Sequence, residues 1–271
     1  MTIDWRSQRS MTRADIADDL LKLGLPAGAD VLVHSSLSRI GNVEGGAESV
    51  IDALLDAVGP KGTVLFPTLT GMRDDGPLQP PVVDVLATPC WTGRIPEMAR
   101  QSGRGIRSLH PTHSVVAIGP AVSRYTVGHE KTKTPCDGRS PYFRLISNDG
   151  WILLLGATQE SNTTLHCLEE LAKVPYHLQD EAADGIVIVP TGERHVVRNH
   201  FHLWRWGRDF ERIDEPLRAE GVLIEGKVGN AECRLMRAGD LSEVILARLR
   251  QDPLYLMADD ARREWEAEVN P

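Results

Sequence analysis

Apolar residues fall into two alternating patterns along this chain. Continuous apolar runs occur at Asp30–His34 (DVLVH), Thr63–Phe66 (TVLF), SVVAIG ahead of Pro120, and Trp151–Leu155 (WILLL). Glycines, prolines or polar residues bound each run, as expected of strands buried on both faces. Between the runs, apolar residues recur at helical spacing. Ala47, Val50, Ile51, Leu54, Leu55 and Val58 form one stripe. ADIADDLLKL after Thr12 forms another, with Asp15 placed for a capping box and Gly24 as its stop. Further helices are predicted at Ile95–Arg100, Pro141–Ile146, Phe210–Glu220 and Leu241–Asp252, followed by a charged helical tail. Gly185–Val189 and Glu193–Val197 predict an antiparallel hairpin, and Val222–Lys227 another strand. Strands alternating with helices favour an α/β layered sandwich, read as a single domain over residues 1–271.

Three stretches break the alternation. Residues 1–11 are polar and carry no predicted element. Residues 70–93 hold Pro77, Pro80, Pro81 and Pro89 with little periodicity, and are read as a lid or substrate loop. Asn199–Phe210 holds His200, His202, Trp204 and Trp206 and is read as a polar-aromatic surface strand.

Composition adds exclusions. At 271 residues, with 41% apolar and 25% charged residues, the chain has an ordinary soluble composition. A net charge of -8 argues against nucleic-acid binding. It suits a small cationic substrate if the acids gather in a cleft, and equally suits plain solubility. The four cysteines, Cys90, Cys136, Cys167 and Cys233, form no CxxC pair. Neither a disulfide framework nor a structural zinc site is expected. No run is long enough to span a bilayer, so a cytoplasmic protein with reduced thiols and no membrane partner is expected.

Candidate chemistry centres on Trp151–Ala172 (WILLLGATQESNTTLHCLEELA), read as strand, tight turn and helix. Asn162 or Thr163 is placed to cap that helix. With Thr163 as cap, His166 lies in the first turn, where the helix dipole favours a neutral ring and hence a general base. A histidine that only hydrogen-bonds near a helix start fits the same spacing. Ser35 and Ser36, with the loop IGNVEGG, form a strand–loop–helix junction without GxGxxG or a P-loop ending. Its N–H groups could meet a pyrophosphate or pantetheine amide, and an ordinary βα turn fits as well. In RGIRSLHPTHSVVAIG, Arg107 and His110 are candidates for contacting an anionic or polar ligand, with a structural loop network as the alternative. Pro111 between His110 and His113 argues against a metal pair. Cys167, beside His166, suggests a Cys/His acyl-enzyme, but adjacent helical residues point apart, which favours a core cysteine.

These blocks together resemble the aminoglycoside N3-acetyltransferase family. HSSLSRIGNVEGGAESVIDALLDAVGPKGTVLFPTLT is similar to its opening unit, RSLHPTHSVVAIG to its central motif, SPYFRLISNDGWILLLGATQESNTTLHCLEELA to its catalytic region, and GKVGNAECRL to its closing motif. The resemblance covers about residues 12–245. It implies a three-layer α/β/α sandwich with a mixed central sheet. It also implies transfer from acetyl-CoA, without a metal, to the 3-amino group of a 2-deoxystreptamine aminoglycoside, a small cationic aminosugar. Carried over by residue, His166 and Thr163 would be catalytic. Ser35, Ser36, Gly45, Gly46, Arg107, Ser108 and His110 would face the cofactor. Glu160, which stands where family members often have Asp, would bind substrate, and Asp209 and Glu211 are candidates for the carboxylate that supports the histidine or binds substrate. Cys90 in Thr88-Pro89-Cys90 and the segment Cys136-Asp137-Gly138 also depart from the family pattern. These departures bear on the acceptor more than on the fold. Another amine acceptor, or a non-catalytic binding protein of the same fold, are the alternatives. The oligomeric state is left open.

Overall fold

The computed structural model describes residues 10–269. The polar lead-in at 1–9 therefore lies outside the described residues, while Met11 already forms a bridge to Val43. The chain begins with α1 (Arg13–Leu23), β1 (Asp30–Ser35), a single turn α2 (Leu37–Ile40), α3 (Gly46–Val58) and β2 (Thr63–Pro67). It continues through β3 (Val82–Asp84), α4 (Arg94–Gln101), β4 (Ile106–Arg107), β5 (Val115–Ile118), α5 (Val122–Thr126), α6 (Pro141–Ser147) and β6 (Trp151–Leu155). The rest is α7 (Thr164–Ala172), the hairpin β7 (Ala183–Ile188) and β8 (Arg194–Asn199), α8 (Asp214–Ala219), β9 (Ile224–Val228), β10 (Ala231–Arg237), α9 (Ala238–Gln251) and α10 (Asp259–Val269).

The central sheet has seven strands in the order β4-β5-β2-β1-β6-β10-β9. β1 is parallel to β2 and to β6, while β5 and β10 flank this trio antiparallel. The sheet is therefore mixed. Alternation along the strands splits the core in two. Leu32, Leu65, Ile152 and Leu154 pack with residues of α6, α7 and α9 on one face. Val31, Val33, Phe66, Leu153 and Leu155 pack with residues of α1, α3 and α4 on the other. Both faces are covered, which is why these strands read as unbroken apolar runs. Each such side chain stabilises the fold by roughly 1.5–3 kcal/mol on burial. A second sheet of three strands, β3-β7-β8, stands apart, so the 70–93 loop contains a strand of its own.

The parallel trio places the ends of β1, β2 and β6 on one side, at Ser35, Pro67 and Leu155. Ligands of α/β sheets bind at such carboxyl ends. Two local readings change. The segment after β8 is no surface strand: Phe201, His202 and Trp206 are buried in an irregular loop. The helix expected at 210–220 divides into a 3₁₀ turn, Glu211–Ile213, and α8.

The capping box at α1 is complete. Asp15 N–H donates to the Thr12 hydroxyl at 3.2 Å, and Thr12 N–H to the Asp15 carboxylate at 3.0 Å. Thr12→Ala should therefore destabilise the protein by about 1 kcal/mol, read as a lower urea midpoint at unchanged slope.

Candidate active site

The loop after β6 is shaped from its first residue. Gly156 has φ +68°, and a Cβ there would lie 2.7 Å from Cβ of Arg39, so a side chain has no room. The chain then makes a 3₁₀ turn, Gln159–Ser161, which is pinned from outside. The Gln159 amide donates to Asp214 at 2.8 Å, and its backbone N–H to Glu211 at 2.6 Å. The Asn162 side chain donates to Gln159 at 3.0 Å and accepts the Thr164 N–H at 3.2 Å. Asn162 is thus the residue whose side chain caps α7. Thr163 is already helical, at φ -57° and ψ -22°, and makes no capping bond. Of the two candidates for the cap, Asn162 makes the side-chain bond, and Thr163 lines a cavity.

That cavity, of about 400 Å³, sits at the carboxyl end of the parallel trio. His34 and Ser35 of β1, Thr112, His113, Thr163, His166 and Trp204 line it, with Trp91 and Glu160 also in its wall. His166 Nδ1 lies 2.7 Å from Oε2 of Glu169, one turn along α7 and fully buried. The same carboxylate is 3.0 Å from His177 Nδ1 and 3.3 Å from Arg208 Nε. Burial works against its charge, but His177 and Arg208 beside it and the hydrogen bond from His166 hold the carboxyl well below the usual range. An ionised carboxylate only accepts, so Nδ1 of His166 donates to it, and Nε2 is the ring nitrogen left to exchange a proton.

Other imidazoles surround this pair. His202 lies 4.9 Å and His177 5.2 Å from the His166 ring centroid, and His113 lies 4.4 Å from His202. Burial lowers His177 to about 4 and holds His113 and His202 well below the ordinary value. These three rings are neutral near pH 7. Glu170, the neighbour of Glu169, is pushed up to about 8 by burial and is protonated there. His166, His177 and His202 offer ring nitrogens within 4.8 Å of one another, and the Cys136 sulfur, a Glu170 carboxyl oxygen and a His202 ring nitrogen lie equally close. In the first trio the His166 and His177 planes stack at 19°, and both turn Nδ1 to Glu169. That is the geometry of a hydrogen-bonded imidazole cluster.

The predicted residues divide. His166, Thr163, Ser35 and Glu160 line the cavity. Ser36 starts α2, with its hydroxyl 3.3 Å from that of Ser38, outside the lining. Gly45 and Gly46 take φ of +74° and +61° to turn the chain into α3, and Gly45 faces a shallow surface depression with Thr12 and Glu44. Arg107, Ser108 and His110 point inward. Arg107 donates to the carbonyls of Thr68, Val85 and Thr88 and to Ser114 Oγ. Ser108 Oγ meets His129 at 2.9 Å, and His110 Nδ1 accepts the His113 N–H at 2.9 Å. All three are at most 6% exposed; Arg107 and Ser108 brace the loop that presents Thr112 and His113, while His110 Nε2, like His34 Nε2, is buried without a hydrogen-bond partner.

The candidate acids point elsewhere. Asp209 pairs with Arg212, and Glu211 receives Gln159 N–H and Arg234, so neither supports His166 or lines the cavity. Asp75 and Asp84 in the 70–93 loop accept backbone N–H groups of their own turns, while Gly71, Trp91 and Thr92 reach the cavity. The carboxylate that sequence reasoning missed, Glu169, had a signal: His and Glu three residues apart on one helix face. His177, His202 and Arg208 come from distant loops and had none.

A cavity-facing imidazole whose other nitrogen is tied to a buried carboxylate, with a hydroxyl beside it, is an arrangement that can serve group transfer. Comparison with known proteins gives the family. The family model for aminoglycoside 3-N-acetyltransferases matches residues 32–250. Aminoglycoside N(3)-acetyltransferase IV from Salmonella sp is 32% identical over 95% of this chain and 92% of its own. The crystal structure of aminoglycoside acetyltransferase AAC(3)-Xa superposes with a TM-score of 0.79 at 32% identity, covering 91% of this chain and 95% of that one. The binary structure of AAC-IIIb with CoASH gives 0.74 at 27% identity, covering 90% and 97%. The chain belongs to the aminoglycoside 3-N-acetyltransferase family, and its chemistry is acetyl transfer to aminoglycosides.

The buried histidines also set an acid limit on stability. Burial holds His34 and His129 down at about 3, and His177 at about 4, against 6.5 when free. Below 6.5 the unfolded chain binds protons that the folded one refuses. The histidines' share of stability should thus be full above that value and fall as pH drops toward 4, by up to about 1.4 kcal/mol per histidine per pH unit, with Glu170, raised to about 8, offsetting one of them. Urea titrations between pH 7 and 4 should show the decline, with a shallower slope for His129→Gln.

Proposed function

We propose that the chain transfers the acetyl group of acetyl-CoA to the 3-amino group of a 2-deoxystreptamine aminoglycoside by direct attack, with Nε2 of His166 as general base. The observation that carries this reading is the 2.7 Å contact of His166 Nδ1 with the buried Glu169, which leaves Nε2 as the free basic nitrogen beside the cavity. The acceptor nitrogen attacks the thioester carbonyl carbon as its proton passes to Nε2. The C–S bond then breaks, and the imidazolium, stabilised by Glu169, returns the proton to the thiolate. In this reading the hydroxyl of Thr163, which lines the cavity, donates to the carbonyl oxygen or the departing sulfur as negative charge develops. On β1, His34 Nε2 and Ser35 Oγ are buried without a hydrogen-bond partner, a fit for amide or carbonyl groups of the pantetheine arm. Glu160 supplies an acid in the wall toward a cationic sugar.

A cysteine acyl-enzyme finds no support. Cys167 has no exposed surface, its thiol donates to the Cys136 carbonyl at 3.2 Å, and burial pushes it well up. Cys90 lies outside the lining, and its thiol is also raised, chiefly by burial.

His166→Ala should lower kcat/KM for amine acetylation by about 10²–10⁴-fold while acetyl-CoA affinity stays near wild type. His166→Gln should fail almost as badly, because an amide does not take up a proton at neutral pH. Thiol release with an aminoglycoside panel, beside calorimetric CoA binding, reads both quantities. A near-wild-type rate in the folded variants would overturn the assignment of the base.

A further inference from the structure

Glu169 is a charge without water, so something on the protein must compensate it. The groups that face it come from several elements. His166 is on its own helix, His177 reaches it from the segment after α7, and the buried Tyr176 hydroxyl lies nearby without a hydrogen-bond partner. Arg208 reaches it from the loop between β8 and α8, and Glu170 is its sequence neighbour. His202 of the same loop packs on His166 and His177 and contacts Glu170. Of these, Tyr176, His177, His202 and Glu170 are neutral near pH 7. The guanidinium of Arg208 is the fixed cation of the set.

Arg208 also makes contacts beyond Glu169. Its side chain is 6% exposed, with Nε 3.3 Å from Glu169 Oε1. Nη1 donates to the carbonyls of Leu203 at 3.2 Å and Trp206 at 2.7 Å. Its guanidinium carbon lies 5.7 Å from the ring centroid of Trp204 and 5.4 Å from that of Tyr176. One side chain thus joins the carboxylate behind the base to the loop that places Trp204 in the cavity wall.

We propose that Arg208 is a positioning residue for acetyl transfer, supplying the counter-charge that lets Glu169 stay a carboxylate and hold His166 with its proton on Nδ1, while fixing the Leu203–Trp206 loop. This rests on His166 being the base. Without the guanidinium, burial would draw a proton onto Glu169. A protonated Glu169 no longer compels the Nδ1–H tautomer and no longer stabilises the imidazolium formed during transfer.

The test compares Arg208→Met, Arg208→Gln and Arg208→Lys by kcat/KM against pH, with CoA affinity measured separately and folding checked by thermal melting. At pH 7 the Met and Gln variants should lose about 10- to 100-fold, as when an outer partner of a reactive imidazole is removed. Their acid limb should move to higher pH by a unit or more, because Glu169 must now be deprotonated by solvent pH alone. Arg208→Lys keeps the charge and should restore the position of that limb, even where lost carbonyl contacts lower the rate. CoA affinity should hold in all three. Should Arg208→Met fail to fold, the Gln and Lys pair decides. A uniform loss with an unmoved acid limb would overturn the proposal and leave a packing role, as would a lysine variant no better than glutamine. Adding Arg208→Gln to His166→Ala separates the two readings. No further loss means that Arg208 acts through His166. A full additional loss overturns the proposal, while a near-wild-type rate for His166→Ala alone would overturn the base assignment instead.

Discussion

A carboxylate cut off from water organises the centre of this molecule. Glu169 can remain charged only if every group that reaches it donates a hydrogen bond or brings positive charge. His166 and Arg208 meet that requirement from separate stretches of chain, and His177 Nδ1 sits between the carboxylate and Arg208 Nη2. The requirement runs both ways. The carboxylate fixes which nitrogen of His166 faces outward, and the loops bearing His177 and Arg208 must close on α7 for the charge to be tolerated at all. Breaking one partner would leave a buried charge uncompensated, which typically costs about 3–5 kcal/mol. The chemistry and the packing of the loops around α7 are therefore one problem.

The loop between β4 and β5 uses polarity for another purpose. RSLHPTH is dense in side chains that would suit an anionic ligand, yet Arg107 spends its donors on four protein oxygens and His110 receives a backbone N–H. A buried irregular segment cannot satisfy its backbone through sheet or helix ladders, so side chains must do it. The products of that effort are the positions of Thr112 and His113 in the cavity wall.

This contrast explains how much was legible beforehand. The strands and helices could be read because they are buried on both faces or on one stripe, and hydrophobic spacing reports burial directly. His166 could be read because a buried strand, a turn and a helix carry it to the carboxyl edge of the sheet. Glu169 was within reach of the same spacing argument but was sought at Asp209 and Glu211, which instead pair with Arg212 and Arg234. His202 and Arg208 sit in an irregular loop, where no period tells an inward side chain from an outward one. The same ambiguity hid the inward turn of Arg107. Polar residues in loops advertise that they are needed, without saying whether a ligand or the backbone needs them.

His166 and Glu169 share a single turn of one helix, whereas the walls around them come from the segments 69–71, 91–93, 112–113 and 204. The reactive pair is thus one rigid cartridge, and the contour of the chamber belongs to independently variable parts. Lengthening or replacing a wall segment alters which molecules fit without disturbing the spacing of the pair. In evolutionary terms such a layout separates what is transferred from what receives it, so that acceptor range can drift while the acyl chemistry stays constant.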